Sequence, residues 1–377
     1  MGDKIYERRF SEHNSFWVLC AAAATFICIY IFLRINKVMP DGRAGVVWLL
    51  ICVAMAGLSY TARRTSAMRR SSLRRWADVA GGLWLLFAFF TFIALVVLEG
   101  IGPLPGLPTG KAIAASFVFS AAVIALGVRQ ANTVRATNLT IETNKLPRGV
   151  NHLRIVQLTD LHLSPYSGAG LLAKVLQCVK EATPDMVVVT GDVADGHLKG
   201  RGREISMFRR IRPKYGFFAV TGNHEYYDDV KEALSFMRKA GMRVLHNEAL
   251  CAGGIVVAGA DDRGHMIEDK WGLSVSETMI VNTKSRFPDK FILLLRHRPV
   301  VEIGTEGMFD LQLSGHTHGG QIFPLFSSRL IVRGHPRGLK KLSYGSLLYT
   351  SNGAGYVGPP VRLMAPPEIT VIDLVKK

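Results

Sequence analysis

The sequence predicts an α/β protein in two parts: an N-terminal four-helix transmembrane domain, then a C-terminal domain of strands alternating with helices. Three observations carry this. Four long apolar runs without Asp, Glu, Lys or Arg fill the first third of the 377 residues. Basic residues crowd one set of the connections between them. From about Leu153 the texture changes to short apolar, β-rich runs that close on Gly, Asp, Asn and His.

The apolar runs are Ser15–Leu33, Ala44–Ala62, Val79–Leu98 and Ala112–Val128. Each approaches the roughly 20 residues that cross a bilayer as a helix. They are apolar all round, which argues against a soluble bundle whose helices keep a polar face. Charge gives the orientation. Lys4, Arg8 and Arg9 precede the first run, Arg63, Arg64, Arg69, Arg70, Arg74 and Arg75 lie between the second and third, and Arg129, Arg135, Lys145 and Arg148 follow the fourth. The opposite side carries only Arg34, Lys37, Arg43 and Lys111. Positive residues stay inside, so both termini are expected in the cytoplasm. The reading is a cytoplasmic N-terminus (1–14), a transmembrane domain (15–128), a linker (129–150) and a cytoplasmic catalytic domain (151–377), in an inner or plasma membrane protein. Topology and anionic headgroups then account for the net charge of +17. No basic patch is interleaved with aromatics, so membrane lipids are the expected partners and nucleic acid is not. Five cysteines without CxxC or framework spacing argue against a disulfide scaffold and fit a reducing compartment. Oligomeric state leaves no signal.

In the second part, strands are expected at Leu153–Leu158, Met186–Thr190, Phe217–Val220, Ile255–Ala258, Phe291–Leu295, Leu311–Leu313, Leu347–Ser351 and Ile369–Leu374. Helical patterns lie between some of them, at Leu171–Ala182, Val230–Ala240 and Val275–Ser285. Such alternation argues for an α/β domain.

Hard polar residues gather where these strands end. The first closes on Asp160-Leu161-His162, and residues two apart on extended chain project to one side, so both can hold one ion. The second ends in Gly191-Asp192-Val193-Ala194-Asp195, where glycine permits a sharp turn. The third ends in Gly222-Asn223-His224-Glu225, a fourth in Arg296-His297, and a fifth in Gly315-His316-Thr317-His318-Gly319. Singly these are ordinary turns. As a set in chain order they offer carboxylate, imidazole and amide oxygen, a mixture that suits Mn, Fe, Zn or Mg rather than copper–thiolate or iron–sulfur chemistry.

The series Asp160-x-His162, Gly191-Asp192, Gly222-Asn223-His224-Glu225, His297 and Gly315-His316-x-His318 resembles the calcineurin-like metallophosphoesterases, over residues 150–375. Residues 315–322 and the tail Gly358-Pro359-Pro360-Val361-Arg362-Leu363 with Ala365-Pro366-Pro367-Glu368-Ile369 are similar to a bacterial membrane-anchored subgroup related to UDP-2,3-diacylglucosamine-hydrolysing phosphodiesterases. The resemblance implies a β-sandwich flanked by helices, with the site at strand ends. It implies two divalent metal ions, Asp160, His162 and His318 holding the first and Asn223, His297 and His316 the second, with Asp192 between them. His224 would be catalytic, facing the leaving-group oxygen. The implied activity is that of a phosphodiesterase or pyrophosphatase on a lipid-linked or membrane-near phosphate ester; the alternatives are a phosphoesterase for soluble substrates with the helices only as anchor, and a non-catalytic membrane scaffold. One departure is Asn352, where the subgroup leads us to expect an arginine. Asp195 and Glu225 are candidates to orient a ligand histidine. The basic stretch Arg201–Lys214 reads as a solvated helix face or as a membrane- or phosphate-facing edge, and His335 and Arg337 lie in a Gly/Pro-rich loop that could border the cleft.

Overall fold

The computed structural model describes residues 2–64, 72–100, 108–163, 169–195, 198, 200–227, 229–262, 274–302, 304–323, 335 and 337–377; for 2–17, 62–64 and 72–75 it describes backbone alone. Arg69 and Arg70 of the basic connection therefore lie outside the described residues. The chain divides into two compact units, Met1–Gly127 and Val128–Lys377.

The first unit holds helices α1 (Gly2–Val38), α2 (Arg43–Arg64) and α3 (Ser72–Gly100), and most of α4 (Thr109–Ala131). Among the described residues, four stretches are long and apolar enough to cross a membrane: Val18–Val38, Arg43–Thr61, Trp76–Gly100 and Thr109–Ala131. Trp48, Trp84, Phe87 and Phe117 pack with ring centroids 5.1–5.8 Å apart. Some polar groups among the helices are paired across them. Arg34 pairs with Glu99 at 2.7 Å, and the Tyr30 hydroxyl donates to the same carboxylate at 2.6 Å.

The second unit is a β-sandwich. Its strands are β1 (Arg135–Thr143), β2 (His152–Leu158), β3 (Met186–Thr190), β4 (Phe217–Val220), β5 (Arg243–Val244), β6 (Glu248–Ala252), β7 (Ile255–Ala260), β8 (Ile292–Arg296), β9 (Leu311–Ser314), β10 (Gly338–Lys341), β11 (Leu347–Thr350) and β12 (Glu368–Lys376). One sheet runs β1-β12-β2-β3-β4-β5, the other β10-β11-β9-β8-β7-β6. Between them Leu153, Ile155, Met186, Val188, Phe218 and Val220 meet Val257, Leu293, Leu295, Leu311 and Leu313. Burying one such side chain contributes about 1.5–3 kcal/mol, which is why these strands read as unbroken apolar runs.

Helices α5 (Ala169–Glu181), α6 (Gly202–Phe208) and α7 (Val230–Lys239) cover the outer face of the first sheet through Leu172, Val175, Leu176, Phe208, Phe236 and Met237. Helix α8 (Val275–Arg286) covers the second through Met279 and Ile280, and starts with a capping box between Ser274 and Glu277. All eight expected strands are present within two residues of their expected ends.

The stretch 129–150, expected as linker, carries β1, which pairs in parallel with β12 over its full length. Its sequence RATNLTIET is mostly polar, with only Ile141 and Thr143 buried. A strand held by its ladder rather than by apolar burial leaves a weak pattern.

Candidate metal centre

In the first sheet β2, β3, β4 and β5 are parallel, as are β7, β8, β9 and β11 in the second. Parallel strands bring their C-terminal ends to one edge, and every predicted site residue follows such an end. Asp160 and His162 follow β2, Asp192 follows β3, Asn223 and His224 follow β4, His297 follows β8, and His316 and His318 follow β9. The structure brings all eight together.

The loops reach this arrangement at a conformational cost. Asp160, His162, Asp192, His316 and His318 have φ of 53°, 44°, 50°, 70° and 50°. A non-glycine residue in this region costs of order 1–3 kcal/mol and persists only where surroundings impose it. Here the surroundings are backbone bonds between strand ends. Asp160 N–H donates to Gly191 O at 3.1 Å, His162 N–H to Asp192 O at 3.0 Å, and Gly315 N–H to His297 O at 2.9 Å. Glycine is required where loops touch: a Cβ on Gly191 would stand 2.8 Å from the His297 ring, and one on Gly353 2.6 Å from Asp160 Cβ.

Among the described residues, three overlapping groups could each hold an ion, with ligand atoms within 4.8 Å of one another: Asp160, His162 and His318; His162, Asp192 and His224; Asp192, His297 and His316. His162 Nε2 lies 3.0 Å from His318 Nε2, and Asp160 Oδ1 lies 3.4 Å from the latter. Asp192 Oδ2 is 3.1 Å from His297 Nε2 and 3.7 Å from His162 Nε2, between the two ends of the cluster. His297 Nε2 is 3.1 Å from Asn223 Oδ1 and 3.2 Å from His316 Nδ1. Two atoms each about 2.1 Å from one ion at tetrahedral or octahedral angles stand about 3.0–3.4 Å apart. Most donor spacings fall in that range; His162 Nε2 stands farther off, 3.7 Å from Asp192 Oδ2 and 3.9 Å from Asp160 Oδ1.

The electrostatics of the donor groups point the same way. Burial lowers His162 to about 4 and His316 to about 3, and takes His318 well below the ordinary value, so these imidazoles are neutral. Burial opposes charge on Asp192 too, but the neighbouring His297 keeps its carboxyl well below the usual range. Burial would likewise lower His297; the Asp192 carboxylate outweighs it and raises the group to about 10. Burial lifts Asp160 to about 6. His162, His316 and His318 are thus held neutral, the form in which an imidazole binds a cation, while Asp192 keeps its negative charge against His297.

Supporting contacts fix the donors. Tyr227 Oη accepts from Asn223 Nδ2 at 2.8 Å, which turns the amide oxygen towards His297. His297 Nδ1 lies 2.8 Å from Thr190 O, the usual outer partner of a ligand imidazole. His316 N–H donates to Asp160. Asp195, expected to orient a ligand imidazole, instead pairs with the expected catalytic His224, its Oδ1 3.2 Å from His224 Nδ1, while its Oδ2 stands 3.9 Å from His162 Nδ1. Burial opposes charge on both partners, but their mutual contact lowers Asp195 and raises His224.

Glu225 departs from expectation. It orients no imidazole; its buried carboxylate accepts the N–H groups of Gly222, Asp192, Val193 and Ala194 at 2.7–3.1 Å, tying the loop after β3 to that after β4. Burial, then Asp192, raises it to about 7.

Arg362 was absent from the sequence-derived set. Its fully buried guanidinium donates to the carbonyls of Gly355 (2.8 Å), Ala365 (3.0 Å) and His318 (3.4 Å) and lies 3.2 Å from His318 Nδ1. The one available signal was a lone arginine inside the apolar tail Pro360–Pro366. Asn352, the departure noted above, is buried against Gly319, with Nδ2 3.4 Å from Pro366 O.

Residues 153–320 match the family model described as calcineurin-like phosphoesterase. The chain is similar to an uncharacterized metallophosphoesterase of Aquifex aeolicus, 35% identical over 246 residues that cover 65% of this chain and 93% of that one. A second, from Campylobacter jejuni, is 36% identical over 236 residues and covers 62% of each chain. A transmembrane protein with metallophosphoesterase domain from Danio rerio is 30% identical over 317 residues, 78% of this chain and 71% of the other. The chain therefore belongs to the calcineurin-like metallophosphoesterases, hydrolases of phosphoester bonds that use divalent metal ions.

Proposed function

We propose that this protein is a two-metal phosphodiesterase or pyrophosphatase, anchored by its four helices with the catalytic domain cytoplasmic, and acting on a lipid-linked substrate of the UDP-2,3-diacylglucosamine type. The observation that carries the metal reading is the Asp192 carboxylate, standing between two donor clusters with Oδ2 within 3.7 Å of both His297 and His162. Asp160, His162 and His318 would hold one ion, Asn223, His297 and His316 the other, and Asp192 both. When bound, such a pair supplies Lewis acidity towards the phosphoryl oxygens and a nucleophile at neutral pH.

The chain's own groups do the rest. The strained loops hold the donors convergent before substrate arrives, so little reorganisation is left to the reaction. His224 stands at the edge, its Nε2 4.0 Å from Asp192 Oδ2, and is half-buried rather than sealed in. With Nδ1 on Asp195, its Nε2–H is free to protonate the leaving oxygen as the ester bond breaks, an effect worth roughly 10²–10⁴-fold. The lipid-linked part of the reading rests on the candidate spans and on the likeness of the tail to membrane-anchored relatives.

The test is hydrolysis by the purified full chain, with Mn added, of bis(4-nitrophenyl) phosphate and of a diacylated sugar nucleotide. Turnover of both, with preference for the lipid ester, supports the reading. Turnover of soluble esters alone leaves the helices as an anchor. A metal-loaded protein inert on both is a binding scaffold and refutes it.

A further inference from the structure

We infer that the catalytic end of the second unit docks onto a lipid surface through Phe323, Val357 and Met364, with Arg337 beside them for headgroup phosphates. This rests on the reading of the site as one that works at a membrane.

Strand direction decides at which end of the second unit the chain from α4 enters. The ligand loops follow the C-terminal ends of β2, β3 and β4. Strand β12 is antiparallel to β2, and β1 is parallel to β12. Thr370 pairs with Gln157 and Glu368 with Arg135, so β1 begins at the level of the ligand loops. The chain arriving from α4 thus enters at the catalytic end. It is fastened there: Arg135 N–H donates to Pro367 O at 3.0 Å, Lys174 Nζ donates to Asn132 O at 2.9 Å, and Ala131 packs with Leu171 and Tyr356. Three residues separate Ala131 from Arg135, and extended chain spans at most about 3.5 Å per residue. The catalytic end is held within roughly 15 Å of the last residue of the fourth candidate span.

That end exposes three apolar side chains. Met364 is 67% exposed, Phe323 54% and Val357 40%. Met364 adopts φ of 61°, unfavourable for a residue with a Cβ, between the buried Arg362 and Ala365 on one strip of chain. The three are joined through Gln321. Its Nε2 donates to Val357 O, its Oε1 accepts from Val357 N–H, its carbonyl accepts from Leu363 N–H, and Phe323 N–H donates to Leu363 O. Gln321 itself follows the short helical turn His318–Gly320 of the metal cluster. Exposed Arg337 donates to Met364 O at 2.8 Å. Apolar side chains ringed by a cation suit the headgroup–acyl boundary.

The more basic face is elsewhere. Exposed Arg209, Arg210 and Arg212 follow α6, and Arg238, Lys239 and Arg243 close α7 and open β5. These positions lie at the N-terminal ends of the parallel strands. A strand the length of β2 spans about 23 Å, so this face and the catalytic rim cannot both meet one flat bilayer.

The experiment places a nitroxide on Met364→Cys, on Val357→Cys and on Arg212→Cys, each in the full chain with its five native cysteines changed to serine. The samples sit in nanodiscs of phosphatidylcholine and phosphatidylglycerol. The expected result is that the labels at 364 and 357 gain collisions with oxygen and lose them with a water-soluble nickel complex, while the label at 212 stays aqueous. Aqueous labels at both 364 and 357 overturn the inference, and a lipid-embedded label at 212 assigns docking to the basic face instead. Hydrolysis of bis(4-nitrophenyl) phosphate by the same samples separates the two readings. Active protein with aqueous rim labels refutes docking alone; embedded rim labels in inactive, metal-loaded protein refute the phosphoesterase reading alone.

Discussion

Asp192→Asn probes the centre of the cluster while keeping its shape. The side chain is 2% exposed, and its Oδ1 accepts the His224 N–H at 2.9 Å, a bond an amide oxygen can retain. What is lost is one negative charge within reach of both donor groups. Unit charges 4 Å apart interact by about 4 kcal/mol at an effective dielectric of 20, and the ions are divalent. Burying the carboxylate offsets much of that gain, since burial opposes its charge more than any single neighbour favours it. A net loss of about 3 kcal/mol remains, roughly a hundredfold in affinity. Metal titration of wild type and variant, with far-ultraviolet dichroism to confirm folding, reads this directly. A folded Asp192→Asn variant that takes up metal as tightly as wild type refutes the role given to this carboxylate.

Four further outcomes follow from individual contacts. His224→Ala should keep its metal content while kcat falls roughly 10²–10⁴-fold; an undiminished rate removes His224 from the chemistry. Glu225→Gln weakens four buried N–H bonds and should destabilise the fold by about 2–3 kcal/mol, seen as a Tm drop of roughly 4–10 °C in a domain of this size; an unchanged Tm contradicts the loop-tying role. Arg362→Met leaves the buried carbonyls of Gly355, Ala365 and His318 without their donor and should destabilise the fold by about 1–3 kcal/mol, so a wild-type Tm in the variant would show that it only fills space. Asp373 accepts from Arg154 at 2.8 Å and lies 2.7 Å from His152; burial opposes its charge, but these partners hold its carboxyl below the ordinary range. A depressed carboxylate contributes stability above its unfolded pKa and loses it as pH falls through the folded value. Unfolding curves of wild type and Asp373→Asn should therefore converge as pH drops below about 4, and a gap that widens on acidification contradicts this.

The site was legible because its chemistry sits at strand ends. Asp160, Asp192, Asn223, His297 and His316 each follow a short apolar run, and such runs are the strongest signal a buried parallel strand leaves. Convergence itself was not legible: His162 and His318 lie 156 residues apart, and only the sandwich brings their Nε2 atoms to 3.0 Å. Nor were the left-handed conformations at Asp160, His162 and His318, since non-glycine residues there are set by tertiary bonds rather than by propensity. Glu225 was misjudged for a related reason. A carboxylate beside a histidine suggests an imidazole partner, whereas its targets are backbone N–H groups carrying no sequence mark. Strand β1 hid inside an apparent linker because its pairing with β12 asks little of its side chains.

The account's central claim is a pair of adjoining cation sites sharing Asp192. The most direct measurement is anomalous scattering from crystals of the full chain grown with Mn. Two peaks are predicted, one among Asp160, His162 and His318, the other among Asn223, His297 and His316, with Asp192 between. A single peak, or none within the cluster in metal-replete crystals, would contradict it.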